Sequence, residues 1–123
     1  MMHNLFVYGS LMRGEYNHRV MVGARFVRKA RTAMGFDLHD LGSFPAMVAR
    51  GTGQVTGEVY EVDDVLLKRL DVFEGVPTLY ERRAVTLDDG SKVGAYLMQR
   101  ARMGRAQRIK NGNWKSRRKG TGR

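Results

Sequence analysis

The stretch Val62 to Gly75, VDDVLLKRLDVFEG, is the one long helical pattern in the chain, and what surrounds it sets the fold class. Leu66, Leu67 and Leu70 recur at helical spacing, and Phe73 continues the same face. Asp63 or Asp64 can cap the start. Gly75 stands where a helix stop belongs, and Pro77 forbids continuation. On both sides the text reads as short strands. Residues 54–62, QVTGEVYEV, alternate along the chain. Residues 80–87, YERRAVTL, and 92–98, KVGAYLM, flank DDGS, where Asp89-Gly90 suits a tight hairpin turn. Leu5 to Tyr8 form a first strand that ends at Gly9-Ser10. Residues 24–40 hold two strand pieces or one bent strand, and Pro45 opens a short apolar strand after a turn. A second, shorter helix is expected from about Tyr16, closed by Gly23. About six short strands and two helices, without regular alternation, argue against a doubly wound sheet. The expected fold class is α+β, a small mixed β-barrel-like sheet flanked by short helices.

With 123 residues the chain is one domain by length. It has no cysteine, which excludes disulfides, thiolate metal sites and a cysteine nucleophile. A cytoplasmic address fits that usage. The opening MMHNLF has no charged n-region or apolar h-region of signal-peptide type, and no run is long enough to span a membrane. The net charge of +10 is unevenly placed. All 12 acidic residues precede residue 100, together with 12 of the 22 basic ones, so the whole excess lies in the last 24 residues. This divides the chain into an expected folded body, 1–99, and a basic C-terminal extension, 100–123, partly ordered at most. Such an extension suits weak polyanion or nucleic-acid contact. Trp114 is its only aromatic residue, so base stacking is poorly served.

Three histidines are scattered at 3, 18 and 39 without paired spacing, and no metal site is expected. Ser10 follows Gly9, but YGSLM lacks the second glycine of a nucleophile elbow. The turn after the first strand is either plain punctuation or a cradle of backbone N–H groups from Gly9, Ser10 and Leu11 for a carboxylate or an oxyanion. Glu74 closes the amphipathic helix among Val72, Phe73 and Val76. The helix C-terminus and apolar neighbours both disfavour its ionised form and raise its pKa toward the range of a general acid–base. Asp71 is the rival carboxylate, and KRLD beside it suggests a solvated ion pair.

The strand-terminal YGSL, followed at this spacing by LDVFEG and YERRAV, resembles the gamma-glutamylcyclotransferase-like family, in its small gamma-glutamylamine cyclotransferase and AIG2-like branch. MGFDLHDLGSFPAMV and GQVTGEVYEV are similar to further family segments. The resemblance covers roughly residues 4–98, and NGNW at 111–114 extends it. It implies a small mixed β-barrel flanked by helices. It implies that Tyr8, Gly9, Ser10 and Leu11 bind a glutamyl group, that Glu74 is the catalytic acid–base, and that Tyr80 lines the same cavity. The implied reaction is ring closure of a γ-glutamyl amide to 5-oxoproline and a free amine, with no metal or organic cofactor. Phe44 departs from the family, where many relatives carry tyrosine, and so does the basic tail beyond Trp114. The alternative is a non-catalytic small-molecule binding or interaction module of the same fold, with a nucleic-acid-binding tail.

Overall fold

A computed structural model of the protein describes residues 1–117. Eight strands and one α-helix follow in the order β1 (Met2–Val7), β2 (Arg25–Arg31), β3 (Phe36–Asp40), β4 (Pro45–Ala49), β5 (Thr56–Asp63), α1 (Asp64–Phe73), β6 (Glu81–Thr86), β7 (Lys92–Leu97) and β8 (Gln107–Arg108). All eight strands join one sheet in the order β2-β5-β1-β7-β4-β3-β8, with β6 pairing β7 beside that path. The antiparallel neighbours of β5 are β1 and β2. β7 runs parallel to β1 at Leu5 and Phe6, and parallel to β4 at Met47. A bridge between Thr32 and Leu87 draws the end of β2 toward the end of β6. The sheet therefore curls back on itself. This is the mixed, barrel-like α+β fold expected from the strand count.

Helix α1 forms for the local reasons its text carries. Asp63 is the cap, its carboxylate accepting from the Leu66 N–H at 2.8 Å. Leu66, Leu67 and Leu70 are buried against the sheet. Phe73 does not continue that face. It is 44% exposed, at the helix end. The helix expected from Tyr16 is only a 3₁₀ turn, His18–Met21. Asn17 stands at its start without a side-chain cap, and its side-chain amide donates to Ser10 Oγ.

Residues 100–117, the first part of the extension read from the sequence, pack against the body. Met103, Ile109 and Trp114 are buried in the same core as β1 and β7. The Ile109 N–H donates to Leu38 O at 2.7 Å, and the Thr56 N–H donates to Gly112 O at 2.8 Å. β8 adds to the edge of β3 at His39 and Asp40. The positive charges of this segment also meet acids of the body. Arg100 and Arg108 both bind Asp37, at 3.2 and 3.1 Å. Burial alone would raise the Asp37 pKa, but the Thr52 N–H and the two guanidiniums outweigh it and hold the carboxyl below its ordinary value. Lys115 reaches the buried Glu58 at 3.5 Å. The Arg117 guanidinium stacks on Trp114, 3.4 Å from the ring centroid. An excess that looks unpaired along the chain is partly neutralised in space. Arg102, Arg105 and Lys110 are exposed. Arg118, Lys119 and Arg123, on which the expected polyanion contact also rests, lie outside the described residues.

Candidate active site

The first strand delivers its loop to a cavity of about 190 Å³. Tyr8, Gly9, Ser10 and Leu11 form one wall, Glu74 and Tyr80 stand on another, and Phe6, Asn17, Pro45 and Tyr96 complete the interior. All six residues singled out in the sequence therefore border one space. Phe44, Phe73 and Leu79 border it as well.

Each wall has a physical reason for its position. Gly9 packs against Pro45 so closely that a Cβ would lie 2.7 Å from two ring carbons of the proline. Only glycine lets the loop and β4 approach this far. The loop is then tied down beyond the turn. The Met12 N–H donates to Gly9 O at 3.1 Å, and the Asn17 N–H donates to Ser10 O at 2.9 Å. The Arg13 N–H donates to the buried carboxylate of Glu58 at 2.9 Å. Among the described residues, the N–H groups of Gly9, Ser10 and Leu11 meet no backbone or side-chain acceptor. These three donors are what an anion in the cavity would find. Gly9→Ala is expected to force the loop away from Pro45. The Michaelis constant for a cavity ligand should rise at least about tenfold, the cost of a lost hydrogen bond to a charged group. Steady-state kinetics of the folded variant check this, and an unchanged value would remove the loop from ligand binding.

The tyrosines behave differently from one another and from a simple lining role. Tyr8 is buried, its hydroxyl donating to Tyr96 O at 2.6 Å and accepting from the Met47 N–H at 3.0 Å. Its ring faces the cavity while its hydroxyl joins β4 to β7. Burial, reinforced by Tyr80 and Glu74, pushes its pKa well up. The Tyr80 hydroxyl donates to Pro45 O at 2.8 Å, which secures the strand end against Gly9. Burial and the neighbouring Glu74 carboxylate also raise its pKa. Neither phenol is poised to ionise near neutral pH.

Among the described residues, Glu74 is the one carboxylate on the cavity wall, and no Lys, Arg or His lines it. Burial pushes its pKa from 4.5 up to about 7. The direction matches the sequence expectation, but the surroundings differ. Val72 is 81% exposed and does not shield it. The desolvating surface is the aromatic interior of the cavity. Asp71 is not the solvated partner of its own helix neighbours. Arg82 of β6 binds it through two nitrogens, at 2.8 and 3.1 Å, and the Tyr96 hydroxyl donates to it at 2.8 Å. These contacts outweigh its burial and lower its pKa, which leaves Asp71 a fixed anion rather than a proton carrier.

Sequence reasoning did not single out Tyr96, Asn17 or Glu58. Tyr96 lies in a strand buried on both faces, where alternation carries no signal. Glu58 is a buried carboxylate that accepts from Arg13 N–H, from Tyr60 O–H at 3.0 Å and from Lys115. A glutamate inside an alternating strand was its only local sign. The histidine nearest the loop, His18, donates from Nδ1 to Leu11 O at 2.8 Å and so is engaged away from the Ser10 hydroxyl. A serine-histidine pair is not assembled. Among the described residues, no three metal-ligating side chains cluster.

Residues 5–116 match the family described as gamma-glutamyl cyclotransferase, AIG2-like. The chain belongs to this family. The match runs past residue 99 into the segment that the structure folds onto the body, and it makes the protein an enzyme of the gamma-glutamylcyclotransferase kind. A gamma-glutamylaminecyclotransferase of Rattus norvegicus is 41% identical over 93 residues, which cover 68% of this chain and 62% of the rat protein. A Vibrio cholerae protein provisionally named a gamma-glutamylcyclotransferase is 38% identical over 91 residues, covering 74% of this chain and 78% of its own. Among solved structures, c4763, a uropathogenic E. coli-specific protein, superposes with a TM-score of 0.83 at 26% identity, over 94% of both chains. The mouse AIG2-like protein superposes at 0.74 with 34% identity, over 79% of this chain and 77% of the mouse one. In this cyclotransferase-family protein no helix of the described residues is long and apolar enough to cross a membrane.

Proposed function

We propose that the protein converts a γ-glutamyl amide into 5-oxoproline and a free amine, with Glu74 as the proton carrier. The observation that supports this most is a single carboxylate with a pKa near 7, facing a loop of free N–H groups across a small apolar cavity. The substrate brings its own nucleophile. Its α-ammonium gives a proton to Glu74, and the resulting amine attacks the γ-carbonyl carbon. A C–N bond closes the five-membered ring, and the carbonyl becomes a tetrahedral oxyanion. Glu74 returns the proton to the leaving nitrogen, and the amide C–N bond breaks as the carbonyl re-forms. The ring nitrogen, which still carries two hydrogens, passes its extra proton through Glu74 to the departing amine, which leaves as an ammonium. The protein's task is then to fold the substrate into a ring-closing shape and to relay two protons in turn from the α-nitrogen to the leaving one. Gly9, Ser10 and Leu11 serve the α-carboxylate or the oxyanion through their N–H groups. Tyr8 and Tyr80 shape the walls.

Release of 5-oxoproline from γ-glutamyl amides, measured by chromatography, tests the reaction. Its absence from every amide offered would sink the proposal in favour of a binding module of the same fold. The pH dependence tests the residue. A base must be ionised to work, so kcat/KM is expected to fall as pH drops through about 7, the Glu74 value. The same shift has a stability sign. Between pH 4.5 and about 7 the folded protein holds a proton on Glu74 that the unfolded chain has released, so wild-type stability declines as pH rises through that window. Glu74→Gln lacks the titration. Its Tm relative to wild type is expected to increase across the window and then level off, and a flat difference in calorimetry would mean that Glu74 is not shifted.

A further inference from the structure

The mouth of the cavity is bordered by Phe44, Phe73 and Leu79, which are 36%, 44% and 40% exposed. They come from three separate places: the turn before β4, the end of α1, and the loop before β6. The chain has five phenylalanines, at 6, 26, 36, 44 and 73. The two that are exposed both stand at this mouth. Large apolar side chains that remain open to water and converge on one opening mark a binding surface. The interior, about 190 Å³, is smaller than the roughly 300 Å³ at which drug-sized sites begin. It holds the reacting end of a substrate and leaves the rest at the rim.

The charge around the rim selects further. Among the described residues Glu74 is the only acid lining the cavity, and in the proposed reaction it is occupied with the transferred proton. A positive charge stands beside the rim, since Arg102 donates to Thr78 O at 3.1 Å, next to Leu79 in sequence, while Asp71, behind Tyr96, is neutralised by Arg82. An ammonium group at the far end of the departing amine would meet three apolar side chains and a guanidinium. An alkyl or aryl group would bury its surface there. We propose that Phe44, Phe73 and Leu79 form the leaving-group subsite and that the natural amine has an apolar or aromatic body with no second positive charge. This rests on the ring-closing reading of the same cavity.

Two amides of matched length test it: γ-glutamyl-n-hexylamide, and the γ-glutamyl monoamide of 1,5-diaminopentane. They differ in a terminal methyl against a terminal ammonium, far from the scissile bond. The hexylamide is expected to show the higher kcat/KM by at least about tenfold, the scale on which an apolar pocket discriminates. Leu79→Glu places a carboxylate at the rim on an exposed position. It should shrink that ratio mainly by improving the diamine substrate, which loss of folding cannot do. Equal or reversed preference in the wild type, with 5-oxoproline still formed, overturns the subsite and leaves the reaction standing. If neither amide yields 5-oxoproline, calorimetric binding of the two intact amides decides the subsite separately. Tighter binding of the hexylamide keeps it while the reaction proposal fails, and equal affinity removes it.

Discussion

Glu74→Gln is expected to lower turnover by at least about a hundredfold, the lower end for removal of a positioned acid–base group. The substitution keeps shape and hydrogen-bonding capacity and deletes only the basic carboxylate. Folding should survive, since the native carboxyl is already penalised by burial. The loss should appear in kcat, because the proton moves during ring closure rather than on binding. Asp71→Asn serves as the contrast. Asp71 anchors Arg82 and the Tyr96 hydroxyl, so its loss should loosen one wall and affect turnover less. Near-wild-type kcat in the glutamine variant would take Glu74 out of the chemistry. A larger defect in the asparagine variant would transfer the role to Asp71.

Truncation after Gln99 is expected to abolish cooperative folding. Met103, Ile109 and Trp114, at 6%, 8% and 2% exposure, would leave the core with their surroundings uncovered. Side chains of this size contribute about 1.5–3 kcal/mol each on burial. Three of them approach the whole net stability of a small domain, about 5–15 kcal/mol. The electrostatic loss has the same sign. Asp37 would lose both guanidiniums and Glu58 would lose Lys115, leaving carboxylates with little exposed surface short of partners. Thermal unfolding followed by circular dichroism checks this. A sharp transition for residues 1–99, within a few degrees of the full chain, would show that the segment is an appendage after all.

What the sequence determined by itself was local. The strand ending in Gly9, the leucine face of α1 with its Asp63 cap and Gly75 stop, and the Asp89-Gly90 turn all follow from backbone preferences and periodicity within a few residues. The same range placed Glu74 at the end of a helix, where its charge is disfavoured. The family resemblance joined it to Tyr8–Leu11, and the tertiary structure puts both on one cavity. What burial does to Glu74 was legible in direction and in kind, as desolvation beside Phe73, but not in most of its walls, which come from β1, the β4 region and β7 rather than from Val72. The same holds for the tyrosine hydroxyls. Sequence can place a phenol beside a site, but only the fold shows that Tyr8 spends its hydroxyl on Tyr96 and Met47, 88 and 39 residues away. The basic segment was the largest departure. Along the chain it faces no acid. In space Arg108 meets Asp37 across 71 residues and Lys115 meets Glu58 across 57. Propensity, capping and turn chemistry act over one or two turns of backbone. Pairing between distant charges and the burial of Trp114 depend on where the sheet curls, and the curl is a property of all the strands together.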